Sequence, residues 1–382
     1  MSQHVTLIAT AAMGLESVVA REVKSLGYET TVENGKVIYE APISAIPRSN
    51  LWLRVADRVK LVVGTFKATS FDELFESTKA LPWEQFISED GKFPVSGKSH
   101  KSKLYSVPDC QAIVKKAVAE RLKLKYGVAS KMPENGALYK IEVALHKDIA
   151  TLTIDTSGEG LHKRGYRVGQ GEAPLKETLA AALIMLTNWR PDETFIDPFC
   201  GSGTIPIEAA LIGQNIAPGF NRNFASEQWS FIPDQVWEQA FIEAEDQANY
   251  NQQLHILGSD INHQMIDIAK NNSMEAGLTD LIQWKQMQVK DLRIQQEYGY
   301  LVGNPPYGQR LNNKEIVKSM YKDLGKIMNE HPGWSVYILT AFKDFEKYFG
   351  RRATKKRKLF NGFIRTDYYQ YFGKRSSKNE RL

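Results

Sequence analysis

The apolar positions of this chain repeat with two different periods. Residues 5–9 run as a short apolar strand, and Leu15, Val18, Val19, Val23 and Leu26 then fall on one helical face that ends at Gly27. Residues 30–33 and 37–39 flank Asn34-Gly35, a hairpin signal. A helix around 44–55 and a strand around 59–66 complete a βαββαβ order, which predicts a small ferredoxin-like unit over residues 1–65.

The pattern changes over residues 66–156. A Gly/Lys/Ser-rich stretch at 91–104 contains what reads as a basic loop, Ser96-Gly97-Lys98-Ser99-His100-Lys101. A helix over 109–125 turns Ile113, Ala117, Val118 and Leu122 inward and its lysines outward. Strands at 139–145 and 149–156 are joined by His146-Lys147-Asp148. A polar connector dotted with glycine, 157–171, marks the next boundary. From 172 to 382 helix and strand alternate, with strands expected at 194–197, 257–260, 282–285, 300–303 and 335–339. Asn361-Gly362 near the end predicts a closing hairpin. The fold class expected is α/β: a doubly wound, Rossmann-like parallel sheet ended by an antiparallel hairpin, preceded by α+β units.

Composition sharpens this outline. A chain of 382 residues exceeds one ordinary core, so two or three domains are expected, and 42% hydrophobic content can fill them. Cys110 and Cys200 have neither metal-ligand spacing nor a disulfide framework, which suits a reducing, cytoplasmic setting. No metal site is expected. The first residues lack a basic region followed by an apolar run, and no stretch approaches the ~18 apolar residues of a membrane span. The net charge of +5 is unevenly spread. Bases crowd residues 92–131, opposed by Asp109 and Glu120, and crowd residues 347–381 again. Two basic regions on a nearly balanced chain point to a polyanion partner; a solvated lysine face is the plainer alternative.

Two segments carry chemistry. Asn304-Pro305-Pro306-Tyr307 follows the apolar Tyr300-Leu301-Val302, and the two prolines end the strand and stiffen the loop. The Asn304 oxygen and the Pro305 carbonyl can accept the hydrogens of a planar amine while the Tyr307 ring stacks on its base. Upstream, Asp197-Pro198-Phe199-Cys200-Gly201-Ser202-Gly203-Thr204 ends one strand and opens a helix. It is neither a P-loop nor a full dinucleotide fingerprint. It matches an acid–glycine turn for S-adenosylmethionine, with Asp197, Phe199, Gly201, Gly203 and Thr204 as candidate contacts. Asp260, followed by Ile261, ends the next strand and is placed either to accept ribose hydroxyls or to cap the following helix. Asp291 after the third strand is a candidate for the adenine amine or a turn residue. Cys200 sits in the cofactor turn and Cys110 in another domain, so neither is placed to attack a pyrimidine carbon.

These motifs, with Leu161-His162-Lys163-Arg164-Gly165-Tyr166-Arg167, resemble the THUMP-domain RNA guanine-N2 methyltransferases, nearest the bacterial 23S ribosomal RNA branch of the L type. The resemblance covers nearly the whole chain. It implies a class I methyltransferase sheet over 172–382, a THUMP domain over 66–156, and methyl transfer from S-adenosylmethionine to guanine N2. It also implies that Glu172-Ala173-Pro174-Leu175-Lys176 walls the cofactor site, giving Pro174 and Lys176 as contacts. The region from about 45 to 156 would grip RNA and present the base. Lys98, His100, Lys101, Lys103, Lys163, Arg164, Arg167 and Arg310 are the candidate RNA contacts. Some homologous polypeptides carry a second methyltransferase domain, so one modification is expected here. The rivals are a tRNA guanine-N2 enzyme, a nucleic-acid adenine-N6 methyltransferase, which would not be expected to carry a THUMP-like front half, and an RNA-binding assembly factor without activity. A thiouridine or deaminase enzyme would need an ATP loop or zinc ligands, which the sequence lacks.

Overall fold

The computed structural model describes residues 4–171, 174–308 and 314–374. The chain divides into two compact units: unit 1 holds 1–11, 19–161 and 222–244, and unit 2 holds 12–18, 162–221 and 245–382.

Unit 1 runs β1 (His4–Thr10), α1 (Glu16–Ser25), β2 (Thr31–Glu33), β3 (Lys36–Pro42), α2 (Ala45–Trp52), β4 (Arg58–Lys67), α3 (Phe71–Ala80), β5 (Val95–His100), α4 (Val107–Tyr126), β6 (Ile141–His146) and β7 (Ile149–Asp155). The first six elements keep the expected βαββαβ order. What the pattern did not foretell is that one seven-stranded sheet, β2-β3-β1-β4-β7-β6-β5, runs through both expected front-end units. β4 is the joint: it pairs antiparallel with β1 on one side and with β7 on the other. Alternation fixes the buried face. Ile141, Val143 and Leu145 of β6 are buried while Glu142, Ala144 and His146 face outward.

The expected basic loop at 96–101 is instead largely the edge strand β5, parallel to β6 from Val95↔Ile141 to His100↔His146. A Cβ on Gly97 would meet Val143, Gln111 and Val107 at 3.1–3.3 Å, so this face lies under α4. The period of two then turns Lys98 and His100 to the other face. Helix α3 went unread, although Ser70 accepts the Glu73 N–H at 3.2 Å and Glu73 reaches back to the Thr69 N–H at 2.6 Å.

Unit 2 contains α5 (Glu177–Met185), β8 (Phe195–Asp197), α6 (Thr204–Gly213), β9 (Ile256–Asp260), α8 (His263–Glu275), β10 (Ile282–Gln286), β11 (Gly299–Gly303), α9 (Lys314–Glu330), β12 (Trp334–Thr340), α10 (Phe345–Phe349), β13 (Lys355–Asn361) and β14 (Ile364–Tyr371); α7 (Asp234–Gln247) lies in the intervening segment. Its sheet order is β10-β9-β8-β11-β12-β14-β13, with β14 antiparallel between β12 and β13. This is the expected doubly wound α/β sheet with its antiparallel hairpin. Val317, Tyr321, Leu324 and Met328 give α9 its buried stripe.

Residues 222–244, read from sequence as part of one 172–382 domain, group with unit 1. The reason is aromatic. Trp229 is fully buried, stacks on Tyr139 at 5.0 Å, and donates its indole N–H to the Leu138 carbonyl at 3.0 Å. Arg48 forks onto Glu243 with bonds of 2.7 and 2.8 Å. Replacing Trp229 by Ala should therefore loosen unit 1 by about 3–5 kcal/mol. Faster amide exchange over residues 139–155 is the expected readout, and unchanged exchange there would refute this packing role.

Candidate active site

β8 is central in its sheet, between β9 and β11, so the turns leaving their carboxyl ends converge. Asp197, the last residue of β8, is 1% exposed. Its Oδ1 accepts the Phe199 N–H at 3.0 Å, while its buried Oδ2 has no hydrogen-bond partner. Burial, and then the charge of Asp260, hold this carboxyl well above the ordinary carboxylate range. Gly201, at φ +51°, donates its N–H to Asp260 Oδ2 at 3.1 Å, and a Cβ there would meet nothing within 4 Å. The acid and the open glycine face leave room for a ligand with donors and positive charge.

Arg167 holds this turn in place. Its guanidinium donates to Glu177 Oε1 at 2.6 Å, the Ser202 hydroxyl at 3.1 Å, the Leu175 carbonyl at 3.0 Å and the Thr204 hydroxyl at 2.9 Å. One planar fork thus ties the connector, the start of α5 and the glycine turn together.

β11 runs beside β8 with Tyr300↔Phe195 and Leu301↔Ile196 in register, which brings Asn304 alongside the Asp197 turn. The approach is close: a Cβ on Gly303 would stand 3.0 Å from Phe199 and 3.5 Å from Asp197 Oδ1. Tyr307 donates its hydroxyl to Asn304 Oδ1 at 2.6 Å and accepts from Asn361 Nδ2 at 3.2 Å. Burial pushes the Tyr307 hydroxyl up to about 12, so it stays a neutral donor. Tyr321 braces the loop by donating to the Pro306 carbonyl at 3.3 Å. Both turns open into one cavity of about 980 Å³, lined also by Met287, Gln288 and Val289 and by Ile316 and Met320 of α9. That volume lies at the upper end of the ~300–1,000 Å³ of small-molecule sites, enough for a nucleoside-sized ligand and a flat base together.

A model of an RMKL-like methyltransferase domain matches residues 164–370. The chain belongs to this methyltransferase family. Models of an RlmL ferredoxin-like domain and of a THUMP domain match residues 6–60 and 68–155. The methyltransferase is 63% identical over 365 residues to YpsC of Bacillus subtilis (strain 168), provisionally named an RNA methyltransferase, with 95% of each chain covered. It is 32% identical over 378 residues to the ribosomal RNA large subunit methyltransferase K/L of Syntrophotalea carbinolica, covering 95% of this chain and 53% of that protein. It therefore spans about half the length of the K/L relatives. Two crystal structures superpose with a TM-score of 0.94. One, from Listeria monocytogenes, is titled a predicted N6-adenine-specific DNA methylase and is 60% identical, with 97% of both chains covered. The other, SMU.472 complexed with SAH, is 47% identical, with 99% of this chain and 100% of that one covered.

The methyltransferase cavity gathers most, but not all, of the expected residues. Pro174, Asp197, Phe199, Gly201, Thr204, Asp260, Ile261 and the loop Asn304, Pro305, Pro306 and Tyr307 line it. Gly203 does not: it is needed at φ +86° and where a Cβ would stand 2.7 Å from Trp284 and 2.9 Å from Ala269. Asp260 is not the helix cap. Asn262 caps α8 through the Gln264 N–H, and Asp260 Oδ1 accepts the Asn262 N–H at 2.9 Å. Asp291 is exposed and outside the cavity lining, because the short turn Val289–Asp291 presents its earlier residues there. Lys176 is exposed at the N-cap of α5, and its neighbours Pro174 and Leu175 reach the cavity instead.

Two candidate RNA contacts are corrected outright. Arg164 is buried on Glu208, whose Oε1 also accepts the Tyr166 hydroxyl at 3.1 Å, so it cannot reach a phosphate. Arg167 is spent on its four hydrogen bonds. Lys98, His100, Lys101, Lys103 and Lys163 are exposed, with Lys98 also paired to Glu142 at 3.0 Å. Arg310 lies outside the described residues. Asn361 also belongs to the site, through its bond to Tyr307, and the Asn-Gly pattern signals only a turn there.

An Asp whose folded pKa is raised loses stability as pH climbs from its unfolded value, near 3.9, towards the folded one. Asp197→Asn should accordingly melt higher than the parent protein at pH 7 in the absence of ligand, with the difference closing below about pH 3.5. A variant that melts lower at pH 7 would contradict the desolvated carboxyl with its orphaned Oδ2.

Proposed function

We propose that this chain is an S-adenosylmethionine-dependent RNA methyltransferase of the cytoplasm that methylates N2 of a guanine in large-subunit ribosomal RNA. The observation that carries this reading is the opening of the Asn304–Tyr307 loop and of Asp197, whose Oδ2 has no hydrogen-bond partner, into one cavity. When bound, S-adenosylmethionine supplies a methyl group already activated by its sulfonium. The residues fit it: Asp197 Oδ2 lacks a donor, Asp260 retains acceptor capacity for hydroxyls, and the Gly201 face is open.

This chain's own part is then positioning rather than activation. Asn304 Oδ1 already accepts the Tyr307 hydroxyl, and its second lone pair and the Pro305 carbonyl remain to take the two hydrogens of a guanine amine. Those bonds orient the nitrogen lone pair and stabilise positive charge as it develops on nitrogen. Burial, reinforced by Asp197 and Asp260, pushes the Cys200 thiol well above its ordinary value, which disfavours thiolate chemistry at a base carbon. RNA is favoured over DNA by the THUMP match, and the exposed lysines at the end of β5 and β6, where His100 and His146 stack at 5.6 Å beside Lys101 and Lys103, suit a polyanion.

Tritium transfer from labelled S-adenosylmethionine to ribosomal and transfer RNA from a strain lacking this protein, followed by nucleoside mass analysis, tests the reading. N2-methylguanosine in large-subunit RNA is expected. Label in tRNA alone would change the substrate, and N6-methyladenosine would overturn the guanine assignment. Asn304→Ala should lower transfer by about 10²–10³-fold with S-adenosylhomocysteine binding retained; full activity would remove the loop from catalysis. Reversing Lys101 and Lys103 to Glu should weaken RNA binding and flatten its salt dependence by roughly two phosphate contacts. Unchanged affinity across salt concentrations would take the cationic edge out of the RNA surface.

A further inference from the structure

The closing hairpin turns one residue later than its Asn-Gly pattern implies. Cross-strand pairing ends at Asn361↔Ile364, so the two loop residues are Gly362 and Phe363. Gly362 takes φ +60° at the first loop position, the place where a type II′ turn needs glycine. This shift has two results. Asn361 stays a paired strand residue and reaches Tyr307 at 3.2 Å. Phe363 is carried out on the tip, the most exposed large apolar side chain among the described residues.

We propose that Phe363 is a base-stacking finger, filling the place left in the RNA stack when the target nucleotide turns into the cavity. Its position supports this. Asn361 and Ile364, which bracket the tip, both line the cavity that holds Asn304, so Phe363 stands at the cavity mouth. Ile316 of α9, another lining residue, is also exposed there. The hairpin also carries exposed cations suited to a polyanion: Lys355, Lys358 and Arg365 stand against Asp367, while Lys356 is paired to Glu346 and Arg357 is held by the Gly14 carbonyl. The reaction supplies the need. An exocyclic amine can meet Asn304 only after its base leaves the stack, and the gap is stabilised when an apolar or aromatic side chain enters it. An unburied phenyl ring ready at that point offers the replacement surface without any rearrangement of the fold. This proposal rests on the RNA substrate argued above.

The test compares the parent chain, Phe363→Ala and Phe363→Trp on folded large-subunit ribosomal RNA, with S-adenosylhomocysteine binding and thermal melting measured alongside. Phe363→Ala should lose roughly 5- to 150-fold in kcat/KM, the equivalent of ~1–3 kcal/mol for one stacked base. Phe363→Trp should restore it, and ligand binding and melting should not change. Ala as active as the parent, or Ala and Trp equally impaired, overturns the finger. A parent chain that is a dimer and an Ala variant that is a monomer would instead make the tip a protein interface. A parent chain that methylates no RNA fails the substrate reading itself, which separates that failure from failure of the finger.

Discussion

The side-by-side register of β8 and β11 is the constraint on which the site depends. It sets the ends of the two strands level, so that Asp197 and Asn304 leave the sheet beside each other. Strand pairing closes their separation in sequence, over a hundred residues, and Gly303, with no Cβ, lets the end of β11 pass close to Phe199. Parallel neighbours in a doubly wound sheet deliver their carboxyl ends to one edge, and the chemistry follows from which loops happen to leave there.

The turn after β8 would not hold its shape through glycines alone. Gly201 and Gly203 both take positive φ, and a sequence so permissive needs an external restraint. Arg167 supplies it from the connector, with four hydrogen bonds made from a half-buried position. The neighbouring Arg164 serves differently, neutralising Glu208 inside the fold. A burial of this kind, with the acid completely enclosed, stabilises only as a pair, since either charge alone would be strongly disfavoured there. Two arginines three residues apart in the connector thus act as internal struts, and the exposed positive charge of the region falls to Lys163.

In unit 1 the corresponding constraint is the double pairing of β4. Because both of its edges are used, the front of the chain forms one sheet whose far edge is β5. Lys98 lies on that edge and Lys101 and Lys103 in the segment just after it, all exposed, and alternation along the strand points Lys98 and His100 away from α4. Charge on an edge strand also discourages pairing with another chain. The same residues therefore serve solubility as well as any polyanion.

Much of this was determined by the sequence itself. Local periodicity set the βαββαβ order, the parallel strands and the hairpin, because those patterns depend on neighbours two to four residues away. The two loops declared their chemistry because prolines and glycines restrict the backbone wherever they occur. Helices α3 and α9 had legible signals too, in Ser70 with Glu73 and in the stripe Val317, Tyr321, Leu324 and Met328. Only the tertiary structure decided the rest. It assigned residues 222–244 to unit 1 through Trp229, turned Arg164 and Arg167 inward, and moved the hairpin turn by one residue so that Asn361 meets Tyr307 and Phe363 meets solvent. Each of these outcomes depends on what lies across a sheet or beneath a loop. A local pattern gives a residue's preferences, whereas a charged or aromatic side chain takes its partner from a distant part of the chain.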